Sequence, residues 1–238
     1  MKLNLLAFAA HPDDIELSCG ATLAKCASQG YSTGIVDFTQ GQMGTRGTPE
    51  KRLEEANDAG KILGLKFREN LGFEDIFFKN DDLHQRAVVK MIRKYQPEVV
   101  LANSLNDRHP DHPRSAAIVT QACFLSGLQK YNTSIDEKSQ KPWRPRAVYH
   151  YIQSTPQEPD FVMDVSDHWQ VKLDAIAAFK SQFYDPNSNE PETYISDPRF
   201  IEMLEGRGKV LGHSIGVSYG EGFVAGRVTG VANIFDLI

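Results

Sequence analysis

Across its first hundred residues the chain alternates apolar, β-rich stretches with helical patterning about every 30 residues, the rhythm of βαβ crossovers around a parallel sheet. Leu3 to Ala10 is an unbroken apolar run, save Asn4, that stops at His11-Pro12. Ile15 to Gln29 follows with Leu17, Ala21, Ala24 and Ser28 at helical spacing, closed by Gly30. Ser32 to Phe38 reads as a second strand, and Pro49 to Leu63 as a helix with proline in its first turn and Gly64 at its stop. Leu65 to Leu71, Leu83 to Tyr95 and Glu98 to Ala102 repeat the pattern. Beyond them the sequence predicts a helix over Arg114 to Leu128 and a polar loop over Tyr131 to Trp143. Strands follow at Ala147 to Ile152 and Phe161 to Asp164, then helices at Asp167 to Gln182 and Phe200 to Val210, and an extended Ile215 to Val224. The stretch Tyr184 to Pro198, rich in Pro, Asn and Glu, is too long for a simple connector and suits a lid or a subunit contact.

The expected fold is therefore α/β: a Rossmann-like, doubly wound and mainly parallel sheet. With 238 residues, 41% of them hydrophobic, the chain can bury one large core. We expect a single domain, in which residues 1–130 carry the core and both candidate metal motifs, and residues 131–238 complete the pocket with the 184–198 loop. A net charge of −5 argues against nucleic acid as a partner. No apolar run approaches the ~20 residues of a membrane span. The apolar start carries Asn4 and runs into charged residues, so it reads as a buried strand and not a leader. Three cysteines, Cys19, Cys26 and Cys123, imply no disulfide framework, which suits a cytoplasmic protein.

Two short segments carry chemistry. His11-Pro12-Asp13-Asp14 follows the first strand, and His109-Pro110-Asp111-His112 follows the fourth. In a doubly wound sheet of order 3-2-1-4-5 those strands are neighbours, ~4.8 Å apart, and ligands bind beyond their carboxyl ends. Two loops rich in imidazole and carboxylate would then face each other across one crevice. Two His and one carboxylate with an open fourth position form the donor set of catalytic zinc, though the same donors accept Fe(II) or Co(II). Each segment alone has a plain explanation, as a solvated His-x-x-His or an N-capping turn; their convergence at the switch point favours a metal. The cysteines lie inside helices as small apolar residues, and His84, His150, His168 and His213 read as structural.

The first segment, with Glu16 and Gly20 behind it, and the second, preceded by Arg108, resemble the two motifs of the zinc-dependent PIG-L/LmbE-type N-acetylglucosamine deacetylases. The stretches Thr39 to Pro49, Arg52 to Ala56, Ser181 to Phe183 and Gly216 to Phe223 are similar to the bacillithiol-biosynthesis branch, which acts on N-acetylglucosaminyl-L-malate. Leu71 to Asp75 departs from the pattern, since many relatives have Pro before the Asp. The resemblance implies an LmbE-like fold, zinc on His11, Asp14 and His112, and Asp13 as general base. It places His109 on the opposite side of the substrate, oriented by Asp111, which would raise its pKa. Either Asp13 or His109 would protonate the leaving amine. The implied partner is a small GlcNAc conjugate, and relatives often form homo-oligomers. Arg46, Arg52 and Arg108 are candidates for an anionic aglycone such as malate, because Arg grips carboxylates bidentately; Arg52 has a plain alternative in a pair with Glu55. Competing readings keep the chemistry on another GlcNAc conjugate or a chitooligosaccharide, or make the chain a non-hydrolytic nucleotide-binding module. The latter would want glycines after strand one, where this chain has His-Pro-Asp-Asp.

Overall fold

A computed structural model describes residues 2–237. The chain forms strands β1 (Leu5–Ala9), β2 (Thr33–Thr39), β3 (Phe67–Phe73) and β4 (Val99–Ala102), interleaved with helices α1 (Asp14–Ser28), α2 (Pro49–Ile62), α3 (Asp82–Tyr95) and α4 (Asp111–Leu125). A two-residue hairpin follows, β5 (Ser134–Ile135) with β6 (Lys138–Ser139), inside the stretch expected to be loop. Then come β7 (Ala147–Tyr151), β8 (Phe161–Asp164), α5 (Trp169–Ala177), α6 (Arg199–Ser214) and β9 (Gly220–Ala225). The main sheet has the order β3-β2-β1-β4-β7-β9-β8. Strands β1 to β4 and β7 run parallel, while β9 runs antiparallel to both of its neighbours. The expected 3-2-1-4 order is present, with Leu5 opposite Val99 and Ala7 opposite Leu101.

β1 is apolar throughout because both of its faces are covered, as central parallel strands require. Leu5, Ala7 and Ala9 pack with residues of α1, α2 and α5 on one side. Leu6 and Phe8 pack with α3 and α4 on the other. Burial of each large side chain contributes ~1.5–3 kcal/mol, and the alternation fixes the register, since a one-residue slip would exchange the two faces.

Polar side chains cap α2, which starts at Pro49 as expected, and α3, which starts one residue earlier than expected. Thr48 Oγ1 accepts from Lys51 N at 3.3 Å with Pro49 as the first residue of α2, and Asp81 accepts from His84 N at 3.1 Å to start α3. α4 begins at Asp111 and not Arg114, so Asp111 and His112 occupy a helix N-terminus. α5 is shorter than expected, preceded by one 3-10 turn over Ser166–His168. The 184–198 loop crosses the carboxyl end of the sheet and is pinned by Arg46, which donates to Ser188 Oγ at 2.9 Å and pairs with Glu190. Among the described residues no helix is long and apolar enough to cross a membrane.

Candidate metal centre

The chain leaves β1 and β4 at the same edge of the sheet, so the two histidine-bearing loops converge on one cavity of about 310 Å³. Its wall includes His11, Asp13, Asp14, Arg108, His109 and His112. Residues after 131 close it, notably Gln153, Tyr194 and Arg207.

Asp14 lies between two imidazoles. Its Oδ1 is 3.1 Å from His112 Nε2 and its Oδ2 is 3.7 Å from His11 Nδ1. A tetrahedral ion with bonds of ~2.0–2.1 Å holds its ligand atoms about 3.3 Å apart; the His112–Asp14 separation fits that spacing, and the two rings face different oxygens of the Asp14 carboxylate. The far nitrogen of each ring meets another carboxylate. His112 Nδ1 is 2.9 Å from Asp107 Oδ1, and His11 Nε2 is 3.1 Å from Asp75 Oδ1 and 3.4 Å from Asp111 Oδ2. That is how metal-bound histidines are usually oriented. Among the described residues two groupings bring one ligand atom from each member within 4.8 Å of one another, His11 with His109 and His112, and His11 with Asp75 and Asp111; Asp14 is in neither.

The electrostatics of the site call for positive charge. Burial opposes ionisation of His11, but bonds to Asp111, Asp14 and Asp75 outweigh it and hold its pKa well above the ordinary value. For His112 burial likewise opposes the charged form, yet Asp14 and Asp107 raise its pKa to about 9. Asp14 is held well below the carboxylate range despite burial, with His112 the main opposing charge. A divalent ion would take over the role of those imidazolium protons.

Asp13 differs from its neighbour. Burial pushes its pKa up to about 7, with Arg52 pulling it down and Asp14 pushing it up. Arg52 Nη2 reaches both Asp13 Oδ2 at 2.6 Å and Pro12 O at 2.8 Å. Asp13 also has φ 112°, a left-handed conformation that costs a non-glycine residue ~1–3 kcal/mol and is kept only where the surroundings enforce it. The Arg52 contacts to Asp13 and to the residue before it supply the enforcement.

The expected Arg52–Glu55 pair and the expected hold of Asp111 on His109 are both absent from the structure. Arg52 lines the cavity with its Nη2 bonded to Asp13 and Pro12 and its Nε buried without a partner; it does not pair with Glu55, which instead accepts from Ser181 N and Oγ. The Asp111 carboxylate does not hold His109. It accepts from Ile76 N and Arg114 and faces His11, while its backbone N–H donates to His109 Nδ1 at 3.3 Å. The pKa of His109 is lowered, by burial and by the charges of His11 and His112, and not raised. Arg46 is tied to the 184–198 loop, whereas Arg108 is exposed, with its guanidinium 4.0 Å above the Tyr194 ring.

Sequence reasoning missed Asp107, Asn103 and Gln153. Asp107 accepts from His109 N, Ser154 N and Thr155 N as well as facing His112. Gln153 Nε2 and Asn103 Nδ2 donate to the two oxygens of Asp14 at 3.1 and 3.0 Å. Only Asp107 left a signal, an acid just ahead of the second motif; Gln153 comes from a strand end whose place in the sheet no local pattern announces.

Comparison with known proteins agrees with this geometry. The family described as GlcNAc-PI de-N-acetylase, PIG-L, matches residues 6–123. A diacetylchitobiose deacetylase of Thermococcus kodakarensis is 30% identical over 235 residues, covering 94% of this chain and 84% of that protein. The crystal structure of a conserved protein from Thermus thermophilus superposes with a TM-score of 0.87 at 34% identity, covering 98% of both chains. A probable N-acetyl-alpha-D-glucosaminyl L-malate deacetylase of Bacillus cereus is 27% identical over 76% of this chain and 84% of its own length. A 4-oxalmesaconate hydratase of Pseudomonas putida is 26% identical over 75% and 74%. The chain belongs to the PIG-L family, and the relatives above that are named for an activity are mostly deacetylases.

Proposed function

We propose that the protein removes the acetyl group from an N-acetylglucosaminide, with zinc held by His11, Asp14 and His112. The observation that carries this reading is the division of labour between adjacent carboxylates: Asp14 lies between two imidazoles, while Asp13 faces Arg52 and has a pKa of about 7. Zinc in such a donor set supplies a Lewis acid that polarises the amide carbonyl and acidifies water. Asp13, poised near neutrality, accepts the proton of the attacking water. A C–O bond forms at the acetyl carbon, the C–N bond breaks, and acetate and a free amine leave, the amine taking up the proton.

His109 acts as a neutral imidazole. Its lowered pKa keeps it uncharged, and its Nδ1 accepts from Asp111 N, so its proton sits on Nε2. It is thereby a hydrogen-bond donor for the developing oxyanion, of the kind whose removal costs ~10²–10³ in rate. Asp111 fixes that tautomer through its backbone, and its carboxylate serves His11 instead.

For the aglycone we infer an anionic group, malate being the case the Bacillus cereus relative names. The support is Arg108, an exposed guanidinium held over the ring of Tyr194 at the cavity wall. The Thermococcus kodakarensis relative supports the alternative, a chitooligosaccharide. Turnover of N-acetylglucosaminyl-malate against N,N'-diacetylchitobiose, scored by acetate release, decides between them. Higher kcat/KM for the malate conjugate supports the inference, and the reverse order assigns the chitooligosaccharide. No acetate from either, with water added across a dicarboxylate double bond as the hydratase relative's name describes, would overturn the deacetylase reading.

A further inference from the structure

Helix α1 is broken five residues after Asp14. Cys19 has φ −134° and ψ 24°, outside the helical region. In an unbroken helix the N–H groups of Ala21 and Thr22 would donate to the carbonyls of Leu17 and Ser18. Here both donate to the carboxylate of Glu221, Ala21 N to Oε1 at 3.2 Å and Thr22 N to Oε2 at 2.7 Å. The two carbonyls receive cations. Arg207 Nη2 donates to Leu17 O at 2.6 Å, and Lys172 Nζ donates to Ser18 O at 3.2 Å. Lys172 Nζ also lies 2.6 Å from Glu221 Oε1, with both side chains almost wholly buried.

The signs follow the helix dipole on each side of the break: an anion at the start of the second segment and two cations at the end of the first. The first segment, Asp14 to Ser18, is too short to orient itself, and a non-helical residue separates it from the rest of α1. The groups bonded to the two sides of the break come from three other elements, Glu221 from β9, Lys172 from α5 and Arg207 from α6. Arg207 also donates to the backbone oxygen of Gln153, the residue whose side chain donates to Asp14 Oδ1. One guanidinium thus ties together the segment that carries Asp14 and the amide that supports it.

We propose that Glu221, Lys172 and Arg207 are positioning residues that hold the break in α1 and thereby aim Asp13 and Asp14 into the cavity, an inference that rests on the metal and base roles given above. Were the three merely stabilising, their loss would lower the melting temperature and leave the folded site intact. The test combines Glu221→Gln, the paired replacement Glu221→Leu with Lys172→Met, and Arg207→Lys. Each is measured well below its melting temperature for zinc affinity by chelator competition, for kcat and KM, and for stability in urea. The paired replacement matters because exchanging a buried ion pair for apolar groups commonly restores stability, yet it supplies no acceptor for Ala21 and Thr22.

The expected result is a zinc Kd raised about 10- to 100-fold, the usual consequence of losing an outer-shell support, with kcat reduced and KM little changed, even where stability is restored. Arg207→Lys keeps the charge but reaches only one of the two carbonyls, so a loss of zinc affinity in that folded variant supports the clamp even should the Glu221 variants not fold. Folded variants with wild-type zinc affinity and kcat overturn it. Wild-type protein that takes up no zinc would instead refute the metal reading, and the clamp with it.

Discussion

Replacing Arg52 with Met separates its two readings. Arg52 Nη2 lies 2.6 Å from Asp13 Oδ2, and both side chains are more than nine-tenths buried, so solvent screens the pair little. A hydrogen bond between charged groups in such a setting contributes ~1.5–3 kcal/mol. At about 1.36 kcal/mol per pKa unit, its removal raises the Asp13 pKa by about one to two units. Asp13 works as a base only when ionised, so a higher pKa moves the acid limb of the pH profile toward alkaline pH. In Arg52→Met, kcat/KM at a pH below both limbs should fall by ~10- to 100-fold, and it should approach wild type above the shifted limb. The assay is acetate release from about pH 5 to 10, a span bracketing both limbs, on a neutral and an anionic N-acetylglucosaminide, and both substrates should shift alike. An equal loss at every pH would refute control of Asp13 by Arg52. A loss confined to KM for the anionic substrate would make Arg52 the carboxylate reader.

Asp107→Asn keeps an acceptor for Ser154 and Thr155 but removes the charge facing His112, and chelator competition should show zinc affinity weakened ~10- to 100-fold. Arg108→Ala should lower kcat/KM for the malate conjugate by ~10- to 100-fold, the worth of one charge-assisted bond, and change that for diacetylchitobiose much less; equal effects on both would remove Arg108 from specificity. Gly212→Ala would place a Cβ 2.7–2.8 Å from backbone atoms of Tyr219 and Val217, which cannot rotate away, so urea denaturation should register ~1–3 kcal/mol of destabilisation.

The parts of this molecule that are local in sequence were legible there. β1 announces itself by apolar continuity, and the two histidine motifs sit where strands end, so topology alone brings them together. What escaped is what depends on distant side chains meeting. Arg52 read as a candidate carboxylate receiver or a partner of Glu55, and only the fold shows its Nη2 on Asp13. Asp111 looked like the orienting group for a histidine two residues away, but the start of α4 at Asp111 presents its N–H, and not its carboxylate, to His109. Glu221, Lys172 and Arg207 are separated by at least 14 residues from one another in sequence, and the break in α1 they occupy leaves no trace in its helical spacing.

The central claim is that one metal ion and the Asp13 carboxylate together hydrolyse an acetamide. Its most direct measurement is a titration of metal-free protein with zinc, following acetate release from an N-acetylglucosaminide in wild type and in Asp13→Asn. The account predicts that wild-type activity rises with added zinc and levels off near one equivalent per chain. The Asp13 variant should bind zinc with the same stoichiometry while releasing acetate ~10²- to 10⁴-fold more slowly. Wild-type activity that ignores zinc, or an Asp13 variant that binds it and works at the full rate, would contradict the account.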